Sequence, residues 1–177
     1  MTRNKYFPTL IFGFGAAVLS NVPGLNTFSC CIIIPAAVYM ALYVDQRLNH
    51  FGYKVIGSNA FAFGILTGVF AALFTSGIDA FITFITKSNP IVYAVPQMRE
   101  MVGELNLGPV GEASLELIEQ MSVEIKQNGF SAIYSSLILI TNLIYFSVFG
   151  IIGGFVAMAI VNNRYHKNHQ NTDNSDQ

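Results

Sequence analysis

Charge is the scarcest thing in this sequence. Asp, Glu, Lys and Arg together make up 11% of 177 residues, against 53% for the hydrophobic types. Soluble globular domains carry about 25% charged residues, so this chain has too little charge to cover a water-facing surface. Cysteine is nearly absent too, and Cys30 and Cys31 are adjacent. Neighbouring cysteines do not bridge each other and no zinc-type spacing exists, which removes a disulfide framework and a metal site. No cofactor is implied, and the expected role of the two thiols is to fill space between helices. Tryptophan is missing altogether. Any interfacial aromatic belt must therefore come from tyrosines such as Tyr6, Tyr39, Tyr43, Tyr134, Tyr145 and Tyr165. There is no GxSxG, HExxH, P-loop, GxGxxG after a strand, or paired-carboxylate pattern, so no constellation supports an enzyme. The net charge of −1 points away from nucleic acid as a partner.

What the chain does have is long apolar runs. Residues 59–86 read NAFAFGILTGVFAALFTSGIDAFITFIT, with Asp79 the single ionisable side chain. At ~1.5 Å per residue, a helix over that stretch outspans a hydrocarbon core of ~30 Å. Further apolar runs lie at residues 7–22, 28–44 and 131–161, the last again longer than a bilayer requires. The expected fold is all-α: a four-transmembrane-helix bundle, residues 1–164, with long third and fourth helices. Pro8 suits the start of the first helix, and Asn21-Val22-Pro23-Gly24 breaks the chain after it. Arg3 and Lys5 give the first run the basic start of a signal peptide. It lacks an A-x-A-like cleavage site, however, and the next run follows closely, so a retained helix is expected. Pro35 falls within the second run and should kink it.

The basic residues orient the bundle. Arg3 and Lys5 precede the first run, Arg47 and Lys54 lie between the second and third, and Arg164 and Lys167 follow the fourth. Lys and Arg in short loops mark the cytoplasmic side, and four spans put all three groups there. The N- and C-termini are expected in the cytoplasm of a multi-pass cell-membrane protein, and the acidic loop 88–130 outside. With ~20 residues crossing the hydrocarbon, Asp79 and Asn142 reach similar depths near the outer boundary. The third and fourth helices then extend beyond it. Within the loop, Pro96 opens a stretch with Met98, Met101, Val102 and Leu105 on one helical face, broken at Asn106-Leu107-Gly108. Pro109 starts a second helix, ended by Gly129. Its apolar side (Ser114, Leu117, Ile118, Met121, Ile125) is expected to pack on the projecting helices, as a small extracytoplasmic helical cap; its other side carries Glu112, Glu116 and Glu119. A glutamate-bearing polar face argues against a membrane-surface helix, which usually carries Lys and Arg. The polar tail, residues 165–177, is expected to be disordered.

Two sets of residues stand out. Ala60, Gly64, Gly68, Ala72, Ser76 and Ala80 place a small residue at every fourth position of the third run. In lipid, such a strip lets helix backbones approach and gain van der Waals contact. Gly150 and Gly154 offer a matching seam on the fourth run. The contact is expected within the chain or between copies of it. Asp79 is the one acid inside an apolar run, and such residues by default mark ion or proton pathways. At the boundary it can instead reach water, or hydrogen-bond Asn142, Thr75 or Thr83, with Asn142 acting as helix–helix glue. His166 and His169, spaced i, i+3 in the tail, make a poor metal site with two ligands.

The layout of short spans, the inner loop HFGYKVIGSNAFAFG, the acidic amphipathic segment and the glycine-bearing FGIIGGFVA of the last span resembles a family of uncharacterised bacterial four-helix membrane proteins. The resemblance covers roughly residues 7–164 and implies the fold; it implies no activity and no site residue. The function expected is non-enzymatic: an integral membrane scaffold or accessory subunit, in contact with the lipid bilayer, that assembles with copies of itself or with another membrane protein through small-residue seams. The alternative is a small oligomeric transporter or channel with Asp79 as its proton or cation site.

Overall fold

Backbone groups that cannot reach water must bond to one another, and an apolar chain does this most simply as helices. The computed structural model describes residues 6–22, 24–48, 54–105 and 107–175. Among these residues there are six α-helices and no strand. They are α1 (Phe7–Ser20), α2 (Ile34–Leu48), α3 (Gly57–Thr86), α4 (Pro90–Leu105), α5 (Gly108–Asn128) and α6 (Ala132–Ser175). The basic residues Arg3 and Lys5, most of the inner loop and Asn106 lie outside the described residues. The helices form two compact units, Met1–Thr75 with Ile140–Gln177, and Ser76–Leu139. Both α3 and α6 contribute a stretch to each.

Three helical segments are long and apolar enough to cross a membrane: Cys31–Leu48, Gly57–Thr86 and Ala132–Tyr165, of 18, 30 and 34 residues. The first apolar run falls short of its expected length. Helix α1 has 14 residues, roughly 21 Å at ~1.5 Å per residue. Its end is set by Asn21, whose Nδ2 donates to the Ala17 carbonyl at 2.9 Å while its backbone N–H also turns back to that oxygen.

Pro35 is accommodated by a turn rather than by a break within a helix. A π-helical turn, Ser29–Ile33, leads directly into α2, and the Ile34 N–H bonds to the Ser29 carbonyl five residues back. Pro35 is then the second residue of α2, where its missing N–H costs little.

The first unit is built around a strip on α3. Ala60, Phe63, Gly64, Thr67, Gly68, Ala71, Ala72 and Thr75 are all buried, a helical stripe composed mostly of small side chains. On the stretch of α6 in this unit the buried positions are Phe146, Gly150, Gly153, Gly154, Ala157 and Val161. Val38, Ala41 and Leu42 of α2 join Ala60, Phe63, Ala157 and Val161 in one cluster, while Ala16 of α1 joins Ile34, Ala37, Ala71, Ala72 and Phe146 in another. Asn162 closes one end: its Oδ1 accepts from the Val55 N–H and its Nδ2 donates to the Val55 carbonyl, both at 2.9 Å. Arg164 adds a cation–π contact, 5.7 Å from the centre of the Tyr43 ring.

The second unit has its own core. Met121 and Ile125 of α5 are buried against Tyr134 of α6, with Ile91, Val92, Ile118, Ile133 and Ile138 packed around them. Ile118, Met121 and Ile125 of the expected apolar side of α5 thus pack inside this unit, whereas Ser114 and Leu117 of that side are exposed. Helix α4 starts at Pro90 rather than at Pro96, which lies inside it. The Asn89 side chain accepts the Ile91 N–H at 3.1 Å, the bond of an N-cap residue with proline at N1. Gly129 ends α5 with φ +73, and its N–H bonds to the Ile125 carbonyl at 2.8 Å. A Cβ there would lie 2.6 Å from the Phe84 carbonyl oxygen, so both the left-handed backbone and the tight approach require glycine.

Helix α6 continues to Ser175, where a disordered tail was expected from residue 165. No glycine or proline follows Gly154 to stop it.

Candidate functional site

The sequence-selected residues separate into two places. Gly64, Gly68, Gly150 and Gly154 belong to the first unit, where they let α3 and α6 touch at the backbone. A Cβ built on Gly64 would collide with the Gly150 carbonyl, and one on Gly150 with the Gly64 carbonyl. A Cβ on Gly68 would meet the Phe146 carbonyl, and one on Gly154 the Ala60 carbonyl. These glycines are used within one chain. Ala72 is fully buried in the same unit, whereas Ser76 is half-buried and belongs to the second. Thr67 is fully buried, and among the described residues its hydroxyl has no hydrogen-bond partner; the same holds for Thr75, 9% exposed. They lie two turns apart on α3.

The other place is a buried polar chain in the second unit. Asp79, half-buried on α3, accepts a hydrogen bond from the Tyr134 hydroxyl at 3.2 Å. That hydroxyl in turn accepts from Asn89 Nδ2 at 2.7 Å, and the same amide donates to Thr83 Oγ1 at 3.0 Å. Thr83 and Asn89 are each 4% exposed and Tyr134 9%. The elements explain the placement. Asp79 and Thr83 are one turn apart on α3, Asn89 caps α4, and Tyr134 sits in the first turn of α6. The Ser131 hydroxyl, just before α6, accepts from the Tyr134 N–H at 3.4 Å. Asn89 uses both ends of its amide, so this one side chain ties the start of α4 to α3 and α6.

Sequence reasoning identified Asp79 but missed its partner. Asn142 is half-buried on the stretch of α6 that belongs to the first unit, while Asp79 belongs to the second. The carboxylate is held by Tyr134, which the sequence reading assigned to an interfacial belt, and Asn89 was not singled out. Asn-Pro at residues 89–90 was the available signal, since an N-cap residue before a proline marks a helix start.

Chemically, the chain is a carboxylate whose hydrogen-bond donor is a phenol fixed by an amide. Such an arrangement can hold a proton or a cation at Asp79, and it can equally serve to join three helices. Among the described residues no group of three or more His, Cys, Asp or Glu could hold a metal. The thiol of Cys31 is exposed and free. The side chains of Cys30, His166 and His169 lie outside the described residues. Comparison of the chain with protein-family models, curated proteins and solved structures gives no match.

Proposed function

We propose that the protein is a multi-pass integral membrane protein that acts without catalysis, as a scaffold or accessory subunit. The observation that carries this is an inverted distribution of side-chain size. Most inward positions of α3 and α6 hold Ala, Gly or Thr, with Phe63, Tyr134, Phe146 and Val161 the large exceptions, whereas Leu73, Ile144, Ile152 and Phe155 are exposed. In water such a surface would aggregate; in lipid it is solvated, and close backbone packing supplies the cohesion. Four crossings place the basic residues Arg47, Lys54, Arg164 and Lys167 in the cytoplasm and the α4–α5 hairpin outside. Because the glycine seam is engaged inside the chain, assembly with a partner or with further copies uses other surfaces, the acidic hairpin first among them.

Gentle extraction of a tagged chain from its own membrane, with complex mass and co-purifying proteins measured, tests the role. A stoichiometric partner is the expected result. A closed homo-oligomer without partners would turn the reading towards a pore.

The orientation has its own test. With Cys30 and Cys31 replaced by alanine, Glu112→Cys is expected to react with a membrane-impermeant maleimide from outside, and Lys54→Cys only after permeabilisation. The opposite pattern would reverse the topology. A reporter fused to the N-terminus that reads as external would reduce the crossings to three, which the shortness of α1 makes worth measuring.

A second reading is favoured by the Asp79–Tyr134–Asn89–Thr83 chain: an oligomeric transporter or channel with Asp79 as the proton or cation site. Asp79→Asn separates the two. A scaffold keeps its complexes and its biological effect, because the amide still accepts the Tyr134 hydroxyl. An ion path loses flux in proteoliposomes.

A further inference from the structure

One face of α3 keeps the same character from end to end. Every fourth residue from Phe61 to Ile85 is apolar, and none of these residues is buried. Leu73 stands at the middle of the row and is exposed. The last turns are the most open part: Phe81, Ile82, Phe84 and Ile85 are all exposed, Phe81 by 65%. Helix α6 carries a row of its own, in which every fourth residue from Ile140 to Ile160 is Ile or Val and is exposed. That row is ~30 Å long, the thickness of a hydrocarbon core. The row on α3 is ~36 Å long. A tilt of about 34° fits it into the same layer, within the range that membrane helices adopt. Polar groups begin directly after the row. The exposed Thr86 hydroxyl donates to the Ile82 carbonyl at 2.8 Å, and exposed Lys87 reaches the Gln127 carbonyl through Nζ at 3.3 Å.

An outer boundary near Asp79, as ~20 residues counted from Asn59 would give, leaves four large apolar side chains in water. Nothing requires Asp79 to reach water, because its carboxylate is already bonded to Tyr134 within the second unit. A protein partner fits this face less well than lipid does. Helices meet in a membrane through small residues that let backbones approach, and Gly64 and Gly68 already serve that purpose against α6. Phe81, Phe84 and Ile85 instead present aromatic and branched bulk, continuous with Leu73 on the same helix. We propose that acyl chains of the outer leaflet cover α3 as far as Ile85, so that the hydrocarbon ends at Thr86 and Lys87 and Asp79 lies inside it. Lys87 then stands where a long basic side chain can reach the headgroups. This rests on the membrane reading above and moves its outer boundary about 9 Å along the helix.

The test places single cysteines in the full chain, with Cys30 and Cys31 replaced by alanine, labels them with a nitroxide and reconstitutes the protein in liposomes. Collision with dissolved oxygen, which concentrates in hydrocarbon, and with a water-soluble nickel chelate reports the depth of each label. Leu73→Cys is the hydrocarbon reference, and Gln97→Cys, exposed on α4, is the aqueous one. Phe81→Cys and Ile85→Cys are expected to favour oxygen over nickel, as Leu73→Cys does. At the stated tilt Phe81→Cys should read about 5 Å deeper than Ile85→Cys, and Leu73→Cys about 10 Å deeper again. All four positions are exposed, so circular dichroism should show unchanged helix content. Nickel access at the Phe81 and Ile85 sites equal to that of Gln97→Cys would overturn the proposal and leave the membrane reading standing on Leu73→Cys. Low access to both reagents at those sites would also overturn it, since protein would then cover the face. Nickel access at Leu73→Cys as high as at Gln97→Cys would remove the membrane reading, and the proposal with it.

Discussion

Gly68→Leu is expected to prevent the first unit from closing. A single Cβ at this position already overlaps the Phe146 carbonyl, and the neighbouring contact is the Ser147 backbone. Backbone cannot rotate aside as a flexible side chain can, so α3 and α6 must separate. Overpacking a core by a methylene or more costs about 1–3 kcal/mol when side chains can adjust; here the cost should exceed about 3 kcal/mol. Separation would also strip van der Waals contact from Gly64, Gly150 and Gly154, the main source of cohesion between helices in lipid. Size-exclusion profiles and thermal unfolding in detergent should show loss of the monodisperse species. Gly77→Leu is the control: it lies on the same helix, and a Cβ there meets nothing within 4 Å. A Gly68→Leu chain as stable as Gly77→Leu would mean that the seam is not formed.

Asn89→Ala is expected to cost about 2–4 kcal/mol of local stability in the second unit, combining a lost helix cap with unsatisfied buried groups. The substitution removes the acceptor for the Ile91 N–H and the donor to Thr83 and Tyr134. Asn89→Asp keeps the cap but loses both donors and places a second carboxylate beside the Tyr134 hydroxyl. Hydrogen exchange should therefore rise in the first turn of α4 for Asn89→Ala and less for Asn89→Asp. Exchange around Tyr134 should rise for both. Unchanged protection in that turn with Asn89→Ala would show that the cap and the network contribute little.

Parts of this molecule were legible before any coordinates. The small residues at Gly64 and Gly68 could be identified because a repeat of four positions on one helix defines a face regardless of what it meets. Pro109 and Gly129 bounded α5 because their backbone preferences are local. Asp79 stood out because nothing else in its helix is ionisable. The end of α1 was legible in Asn21-Val22-Pro23-Gly24, but not that the Asn21 side chain turns back to the Ala17 carbonyl. Pro96 was read as a helix start where Pro90 performs that role, since either proline can open a helix and only the Asn89 cap distinguishes them.

Sequence by itself determined the helical class, the membrane-capable lengths and the small-residue strips, because periodicity, composition and turn chemistry act within a few residues of chain. Tertiary structure decided that Gly64 meets Gly150 within one chain. It also decided that Asp79 is held by Tyr134, 55 residues away. Those facts depend on which distant residues share a space, and hydrogen bonds and close packing are set by that proximity rather than by any local preference.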